Sequence, residues 1–146
     1  MKKEITFKEL ISLGYKEKSI KEEIQSNMLT RIKSGKDVFN GLFGYEDTVI
    51  PQLKRAILAG HNINLLGLRG QAKTKIARGM TDLLDEYMPI VKGSEINDSP
   101  FAPISKFAKD LICEKGDDTP ITWVHRSERF YEKLATPDVN ISDLIG

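Results

Sequence analysis

The sequence has few of the residues that several common functional sites require. Among its 146 residues it has one cysteine, Cys113, and two histidines, His61 and His125. A single cysteine excludes an internal disulfide and fits a reducing cytoplasm. So few soft ligands leave a zinc site without support. Cys113 lies on the apolar side of a predicted helix, which favours a place for it in the core.

The charge balance and the short apolar runs exclude further classes of protein. The net charge is only +1, so no overall charge favours nucleic acid or a membrane surface. No apolar run approaches the length of a membrane-spanning helix, and residues 1–7 lack the apolar core of a signal peptide. Hydrophobic residues make up 40% and charged residues 29%, which is ordinary for a globular protein with one core. We therefore expect a cytoplasmic protein without a membrane partner.

Residues 67–74 carry the strongest motif in the chain. They read Gly-Leu-Arg-Gly-Gln-Ala-Lys-Thr, which differs at one position from the phosphate-binding pattern G-x-x-x-x-G-K-[ST]. Residues 62–66 predict a short apolar strand before this loop, and residues 73–87 predict an amphipathic helix after it. The predicted apolar stripe of that helix consists of Ile76, Met80, Leu83, Leu84 and Tyr87. A strand, a glycine-rich turn and a Lys-Thr pair that opens a helix are typical of a nucleoside triphosphate site.

The residue types in this loop suit phosphate chemistry. Gly67 and Gly70 permit backbone angles that aim N–H groups at phosphate oxygens. The helix N-terminus adds a partial positive charge. We expect Lys73 to reach the β- and γ-phosphates and the Thr74 hydroxyl to bind Mg²⁺.

Two further points concern the middle of the loop. The backbone N–H groups of Gly70, Gln71 and Ala72 would line the anion hole. Ala72 stands where the pattern has glycine, and its methyl group predicts a negative φ at that position. The structural alternative for the whole motif is a glycine-rich turn followed by a solvated Lys73.

Residues 1–37 predict an N-terminal helical segment. A first charged helix breaks at Gly14-Tyr15. A second carries an apolar stripe made of Ile20, Ile24, Met28 and Ile32. The stripe favours a helical hairpin packed on the main domain, and recruitment of a partner protein is the alternative. Residues 38–146 form the second predicted unit.

The rest of the chain predicts helices that alternate with strands. A helix at 48–59 would begin at Thr48 as N-cap, hold Pro51 in its first turn and end at Gly60. Strands at 89–92 and 120–124 enclose a helix at 103–115, which Gly116 ends. This alternation indicates a parallel sheet in an α/β layered fold.

Structural or surface roles are favoured for most of the remaining conspicuous side chains. These are His61, His125, Asp98, Asp117, Asp118, Trp123, Glu128 and Arg129. The three aspartates are typical turn formers, and Trp123 is typical of a core. Glu128 and Arg129 are expected to be solvated. His125 follows a strand whose C-terminal end is where ligands of α/β proteins bind, so a site role for it is the alternative.

An ATP-hydrolysing enzyme needs more than a phosphate loop. It needs an acidic residue after a second buried strand, which holds Mg²⁺ and prepares the attacking water. The run Leu83-Leu84-Asp85-Glu86 falls inside the predicted helix 73–87 and is rejected for that reason. Arg126 and Arg129 stand in no recognisable arginine-finger motif. We therefore expect a truncated chain that binds nucleotide and turns it over very slowly.

Three features between residues 41 and 80 carry a resemblance to a known family. Phe43-Gly44-Tyr45 precedes the phosphate loop, the helix 48–59 and the strand 62–66 follow in order, and Ala72 replaces the last glycine of the motif. This segment resembles AAA+ ATPases of the magnesium chelatase and MoxR-type branch, in which the same alanine occurs. The stretches 93–98 and 133–138 extend the similarity to bacterial magnesium chelatase-like proteins and sigma-54-interacting regulators. Residues 134–146 look like the segment that leads toward the family's second acidic motif.

The resemblance implies an α/β P-loop NTPase fold of AAA+ type, a three-layer sandwich that is incomplete in this chain. It implies ATP and Mg²⁺ as ligands, a hexameric ring, and remodelling of an unidentified partner protein. The site residues it implies are Phe43, Gly44, Tyr45, Gly67, Arg69, Gly70, Gln71, Ala72, Lys73 and Thr74, with Thr74 on the metal. Two departures concern Tyr45, where the family has Gln, and Arg69, where Pro is common. No residue here implies metal chelation.

Two other interpretations stay open. In the first, the loop is vestigial and the chain is a non-enzymatic protein-interaction module whose N-terminal helices recruit a partner. In the second, the chain is a small P-loop kinase or GTPase. It lacks the guanine-reading Asn-Lys-x-Asp motif and an arginine-rich lid.

Overall fold

A computed structural model describes residues 3–39, 41–68, 70–132 and 142 of the chain. Its regular elements are β1 (Ile5–Thr6), α1 (Phe7–Ser12), α2 (Ile20–Lys33), α3 (Val49–Leu58), α4 (Lys73–Thr81), β2 (Tyr87–Val91), α5 (Lys106–Lys115) and β3 (Pro120–His125). Short 3-10 turns follow α5 at Gly116–Asp118 and β3 at Arg126–Arg129. Within the described ranges, no helix is both long enough and apolar enough to span a membrane.

The first two helices begin where the sequence supplies capping boxes. Thr6 and Glu9 exchange side-chain and backbone hydrogen bonds at the start of α1, and Ser19 and Glu22 do the same for α2. Each box satisfies backbone N–H groups that have no partner inside the helix. Gly14, with a φ of +70°, lies in the break between the two helices, as the sequence predicts.

The sheet is antiparallel, so the predicted parallel pairing is wrong. Its order is β1-β3-β2, and β2 pairs with β3 from Tyr87 opposite His125 to Val91 opposite Ile121. The strands predicted at 89–92 and 120–124 are themselves confirmed. The Val91 N–H donates to the Asp98 carbonyl at 2.9 Å in the connection that follows β2. The chain then passes through α5 before β3 runs antiparallel to β2.

Two other predicted elements are wrong in part. Residues 62–66 form no strand, although Ile63 and Leu65 pack on the core and Leu66 is 86% exposed. A strand needs a neighbour for its backbone groups, and residues 62–66 pair with none of the strands in the β1-β3-β2 sheet. Ile5 and Thr6, predicted as helical, are the residues of β1. The wider prediction of an α/β P-loop sandwich stays a prediction.

Helix α4 ends at Thr81 rather than at residue 87. The carbonyl groups beyond its end accept hydrogen bonds from other elements: Arg31 and Arg126 donate to Asp82, and Asn27 donates to Leu83. These bonds replace the partners that a continued helix would supply. The run 83–86 therefore lies before β2, not inside a helix, and the reason for rejecting it is wrong. It still does not follow a strand, as the acidic motif requires.

The core joins the N-terminal helices to the rest of the chain. Its buried members are Met28, Val38, Phe39, Leu42, Ile50, Leu53, Ile57, Ile76 and Leu83. Met28 of α2 is fully buried in this cluster with residues of α3 and α4. Residues 1–37 thus share a core with later residues, while a domain boundary at residue 37 stays a prediction.

Helix α5 and its surroundings contain two side chains that were expected in the core. Ser105 caps the start of α5 and Gly116 ends it, as the sequence predicts. Cys113 is exposed, however, so its predicted core role is wrong. Trp123 is only half-buried, and its indole N–H donates to the Lys3 carbonyl at 3.0 Å.

Candidate functional site

Positive φ angles occur at described residues of the loop that precedes α4. Gly67 and Gly70 have φ values of +156° and +83°, and Ala72 has a φ of +53°. The expectation of a negative φ at Ala72 is therefore wrong. A left-handed alanine costs about 1–2 kcal/mol relative to right-handed geometry. A left-handed residue next to a right-handed one turns successive N–H groups into one concavity, which attracts anions.

Lys73 lies across this loop. Its ammonium group donates to the Gly67 carbonyl at 2.8 Å and to the Leu68 carbonyl at 2.5 Å. The side chain is therefore folded onto the loop. The structural alternative, a solvated Lys73, would instead have it extend freely into solvent. This contact keeps a positive charge beside the N–H groups of the loop and the N-terminus of α4.

Gln71 closes the same loop from its other side. Its side-chain oxygen accepts the Leu68 N–H at 2.8 Å. A Cβ atom at Gly67 would lie only 2.3 Å from that oxygen, so a larger residue there would displace the Gln71 carboxamide. The Gln71 carboxamide therefore accepts a hydrogen bond from a backbone N–H group inside the loop, that of Leu68.

An open cleft of about 720 Å³ lies over the loop and the first turns of α4. Its lining residues are Gly70, Gln71, Ala72, Lys73, Thr74, Lys75 and Arg78. Three of these carry positive charge and none carries negative charge. At the rim, Arg78 donates to both carboxylate oxygens of Glu132, at 2.8 and 3.1 Å. This hydrogen bonding raises the pKa of Arg78.

The segment expected beside the adenine is split between surface and core. Phe43 is 84% exposed, while Tyr45 packs against the core and its carbonyl accepts the Ile50 N–H at 3.0 Å. Gly44 has a φ of +82°. Lys75, which lines the cleft, donates to the Gly41 carbonyl and so ties this segment to α4.

The structure thus brings residues of 67–74 together around one cleft. Arg69 lies outside the described residues, as does the segment 134–146 that resembles the approach to an acidic motif, apart from residue 142. In the part of the chain that the structure describes, no three His, Cys, Asp or Glu side chains group as metal ligands.

One buried ion pair was missed by sequence reasoning. Arg129, expected in solvent, donates to both carboxylate oxygens of Glu23 at 2.6 Å. The two side chains are only 9% and 5% exposed. Hydrogen bonding to Glu23 raises the pKa of Arg129. No periodicity signals this pair, because Glu23 lies off the apolar stripe of α2.

Asp98 organises the turn after β2. Its carboxylate accepts hydrogen bonds from the Ser105 hydroxyl, the Ser94 hydroxyl and the N–H groups of Ile104 and Ser105. These bonds, with that from the Ser105 hydroxyl the largest, hold the pKa of Asp98 well below its usual range despite burial. The partners of its carboxylate all lie between residues 94 and 105, in the connection from β2 to α5, which fits the prediction of a turn former.

The two histidines lie away from the cleft. The Nδ1 atom of His125 accepts the Ser127 N–H at 3.3 Å, and the ring meets that of Tyr87 edge-on at 5.3 Å. His61 is exposed after the end of α3. These surroundings fit the structural roles that the sequence favours.

Comparison of the chain with models of known protein families, with curated proteins and with solved structures finds no match. The resemblance to AAA+ ATPases therefore rests on the motif residues alone.

Proposed function

We propose that the loop 67–74 binds the phosphates of a nucleoside triphosphate and that its ligand is ATP with Mg²⁺. The observation that carries the proposal is the position of Lys73. Its ammonium group lies on the Gly67 and Leu68 carbonyls, beside the left-handed Gly70 and Ala72 and the N-terminus of α4. A cation, a nest of N–H groups and a helix dipole are the elements from which phosphate sites are built.

The residues of the loop fit the charge of magnesium triphosphate. Lys73 would exchange its carbonyl partners for phosphate oxygens, since a charge-assisted hydrogen bond to phosphate is stronger than one to a neutral carbonyl. The N–H groups of Gly70, Gln71 and Ala72 would bind further oxygens. The exposed Thr74 hydroxyl would hold Mg²⁺. When bound, the metal would supply positive charge that neutralises the phosphates.

The nucleoside would be held by the segment before α3. Phe43 is exposed and can stack on a base, Gly44 permits the turn, and Tyr45 anchors the segment in the core. Arg69, which the family resemblance implies as a site residue, is a further proposed contact. The bond from Lys75 to the Gly41 carbonyl supports this arrangement, because it ties the segment to a residue of the cleft.

In its wider context, we propose an AAA+ ATPase of the magnesium chelatase and MoxR type. Such a protein would form hexameric rings in the cytoplasm and couple ATP hydrolysis to remodelling of a partner protein. The motif resemblance supports this proposal. In the ranges that the structure describes, neither β2 nor β3 is followed directly by Asp or Glu, so we expect this chain to bind ATP and to hydrolyse it very slowly.

The alternative is a non-enzymatic interaction module with a vestigial loop. Two observations favour it: Lys73 and Gln71 already satisfy partners within the loop, and Leu66 and Leu68 on its approach are 86% and 76% exposed. Exposed apolar side chains can serve a protein contact.

Calorimetric titration of the chain with Mg-ATP, and separately with inorganic triphosphate, tests the proposal. The parent should bind both, and Lys73→Ala should lose at least about tenfold in affinity, the effect of one charge-assisted hydrogen bond. Lys109→Ala is the matched control, because Lys109 is exposed on α5, away from the cleft.

Circular dichroism on the same samples shows whether each variant is folded. A folded parent that binds neither probe would contradict the proposal and favour the interaction module. Equal affinities for the parent and Lys73→Ala would show that binding occurs elsewhere on the chain.

A further inference from the structure

The most informative feature outside the phosphate loop is the segment of residues 62–66, which has the pattern of a strand but pairs with no strand of the sheet. Ile63 and Leu65 are half-buried against the core, while Asn62, Asn64 and Leu66 are exposed. None of the five residues has a positive φ. Exposure with a period of two is typical of an extended chain that has one face on the core.

The backbone of this segment is open to pairing. Among the described residues, no backbone–backbone hydrogen bond involves residues 62–66. Two clefts adjoin the segment, one of about 280 Å³ beside α2 and α4 and one of about 350 Å³ beside α3. The N–H and C=O groups of such an exposed edge are a template for another strand.

The side chains along this edge do not oppose pairing with an identical edge. Residues 60–68 contain no Asp, Glu, Lys, Arg or Pro, whereas exposed edges are commonly protected by charges or proline. Leu66 and Leu68 are 86% and 76% exposed, and large apolar side chains gain free energy when they leave water. Two copies of this edge can therefore approach each other without the repulsion that like charges cause.

We propose that residues 62–66 of two copies of this chain pair as antiparallel strands about a two-fold axis at Asn64. This register pairs all five residues and keeps both core faces on the same side, which a shift by one residue would not do. Ile63 of one copy lies opposite Leu65 of the other, so the apolar layer continues across the axis. The two Asn64 side chains meet on the exposed face.

This contact does not depend on nucleotide binding, and it differs from the contact that builds a ring. A two-fold contact uses the same patch on both copies and closes at two, whereas a ring needs two different patches on each copy. Sedimentation equilibrium of the chain should therefore fit a monomer and a dimer, with the dimer fraction rising as the protein concentration rises.

Two substitutions at Asn64 test the contact. Asn64→Lys places like charges opposite each other and should weaken dimer formation at least about tenfold. Asn64→Pro removes an N–H group at the axis and should also weaken the dimer. Circular dichroism shows whether each variant is folded. Ser12→Lys is the matched control, because it adds the same charge at an exposed position at the end of α1.

A cysteine at the axis tests the register. The only native cysteine is exposed, so Cys113→Ser provides the background. Opposite residues of antiparallel strands have Cα atoms about 4.5–5.5 Å apart, a distance that a disulfide spans. Asn64→Cys should therefore form a covalent dimer on mild oxidation, whereas the control Lys109→Cys on α5 should not. A non-covalent dimer in which Asn64→Cys fails to cross-link would overturn the register.

The remaining outcomes also decide the proposal. A parent that stays monomeric at millimolar concentration would overturn it, and slow amide exchange at residues 62–66 in that monomer would show that another part of the same chain covers the edge. A dimer or hexamer that forms equally well in both Asn64 variants would place the contact elsewhere and overturn it. None of these results bears on the phosphate site, which the titration of Lys73→Ala tests separately.

Discussion

At the scale of single residues, Ala72 combines a positive φ with a place at the start of α4. Its φ of +53° turns the chain into α4, and its carbonyl accepts the first helical bond, from the Ile76 N–H at 2.9 Å. Glycine would adopt this angle without a Cβ clash, whereas alanine is strained there. Its methyl group, in exchange, packs against the core. Ala72, a residue of the proposed phosphate site, therefore combines a strained backbone angle with a buried contact of its methyl group.

Asp98 is the residue whose charge matters most for the turn after β2. Its pKa in the folded protein lies below the unfolded value, chiefly through the Ser105 hydroxyl. The ionised carboxylate therefore contributes stability above about pH 4, and this contribution is lost as the pH falls toward the folded pKa. In Asp98→Asn, we expect lower stability at pH 7 and a smaller further loss below pH 4, measured by thermal denaturation at a series of pH values.

Asp117→Asn provides the comparison for Asp98→Asn, since Asp117 is an exposed aspartate in the 3-10 turn after α5. Its stability profile should follow that of the parent. An Asp98→Asn profile with the parent's full acid dependence would show that other carboxylates control unfolding in acid.

At the scale of elements, the pair of Glu23 and Arg129 connects α2 to the turn after β3. Arg129→Met would leave the Glu23 carboxylate buried without its cation, an arrangement that costs about 3–5 kcal/mol. We expect a loss of that size in the free energy of unfolding, measured by urea denaturation. The double variant Glu23→Met with Arg129→Met should recover much of it, because two apolar side chains leave no buried charge.

The exposed pair of Glu4 and Lys92 is the natural control for the buried pair. Their side chains are 56% and 50% exposed, and such pairs contribute about 0–1 kcal/mol. Glu4→Gln should therefore change stability little. A loss below about 1 kcal/mol in Arg129→Met would mean that water reaches Glu23 and that the pair behaves like a surface one.

Two element boundaries that depend on residues close in sequence were predicted: the break at Gly14 and the end of α5 at Gly116. Thr48 precedes α3 as predicted, but its side chain makes no capping hydrogen bond. The end of α4 was not predicted. It depends on Asn27 and Arg31 of α2, which are distant in sequence and bond the carbonyls after Thr81. The apolar periodicity continues past Thr81 because Leu83 and Leu84 are buried apolar residues although they lie outside the helix.

At the scale of the whole molecule, the N-terminal helices are part of the packed structure. Met28 is fully buried in the main cluster, Glu23 pairs with Arg129, and Ile5 pairs with Ile121 in the sheet. A chain of residues 38–146 would lose all three contacts and expose the apolar side chains that Met28 covers. We expect such a chain to show no cooperative thermal transition by circular dichroism.

Addition of a peptide of residues 1–37 tests the same packing in trans. Recovery of a cooperative transition would show that the lost contacts, not the shorter length, are responsible. If residues 38–146 instead unfold at the parent's temperature without the peptide, the N-terminal segment is an appended unit, as a boundary at residue 37 predicts.

The sequence by itself determined what short-range chemistry decides. It placed Gly67, Gly70, Lys73 and Thr74 in a turn that opens a helix, and it located β2, β3 and most helices, because propensities, caps and glycine angles act over a few residues. Lys73 and the loop could therefore be identified as a candidate phosphate site before the fold was known.

Only the tertiary structure decided the features that join distant residues. These are the antiparallel pairing of β2 with β3, the missing strand at 62–66, the pair of Glu23 with Arg129 and the contact of Gln71 with Leu68. The direction of β3 depends on the path of the chain between β2 and β3. The burial of Glu23 depends on the fold placing Arg129 beside it. Neither feature leaves a local sequence pattern, since the free energy of such contacts depends on positions in space and not on neighbours along the chain.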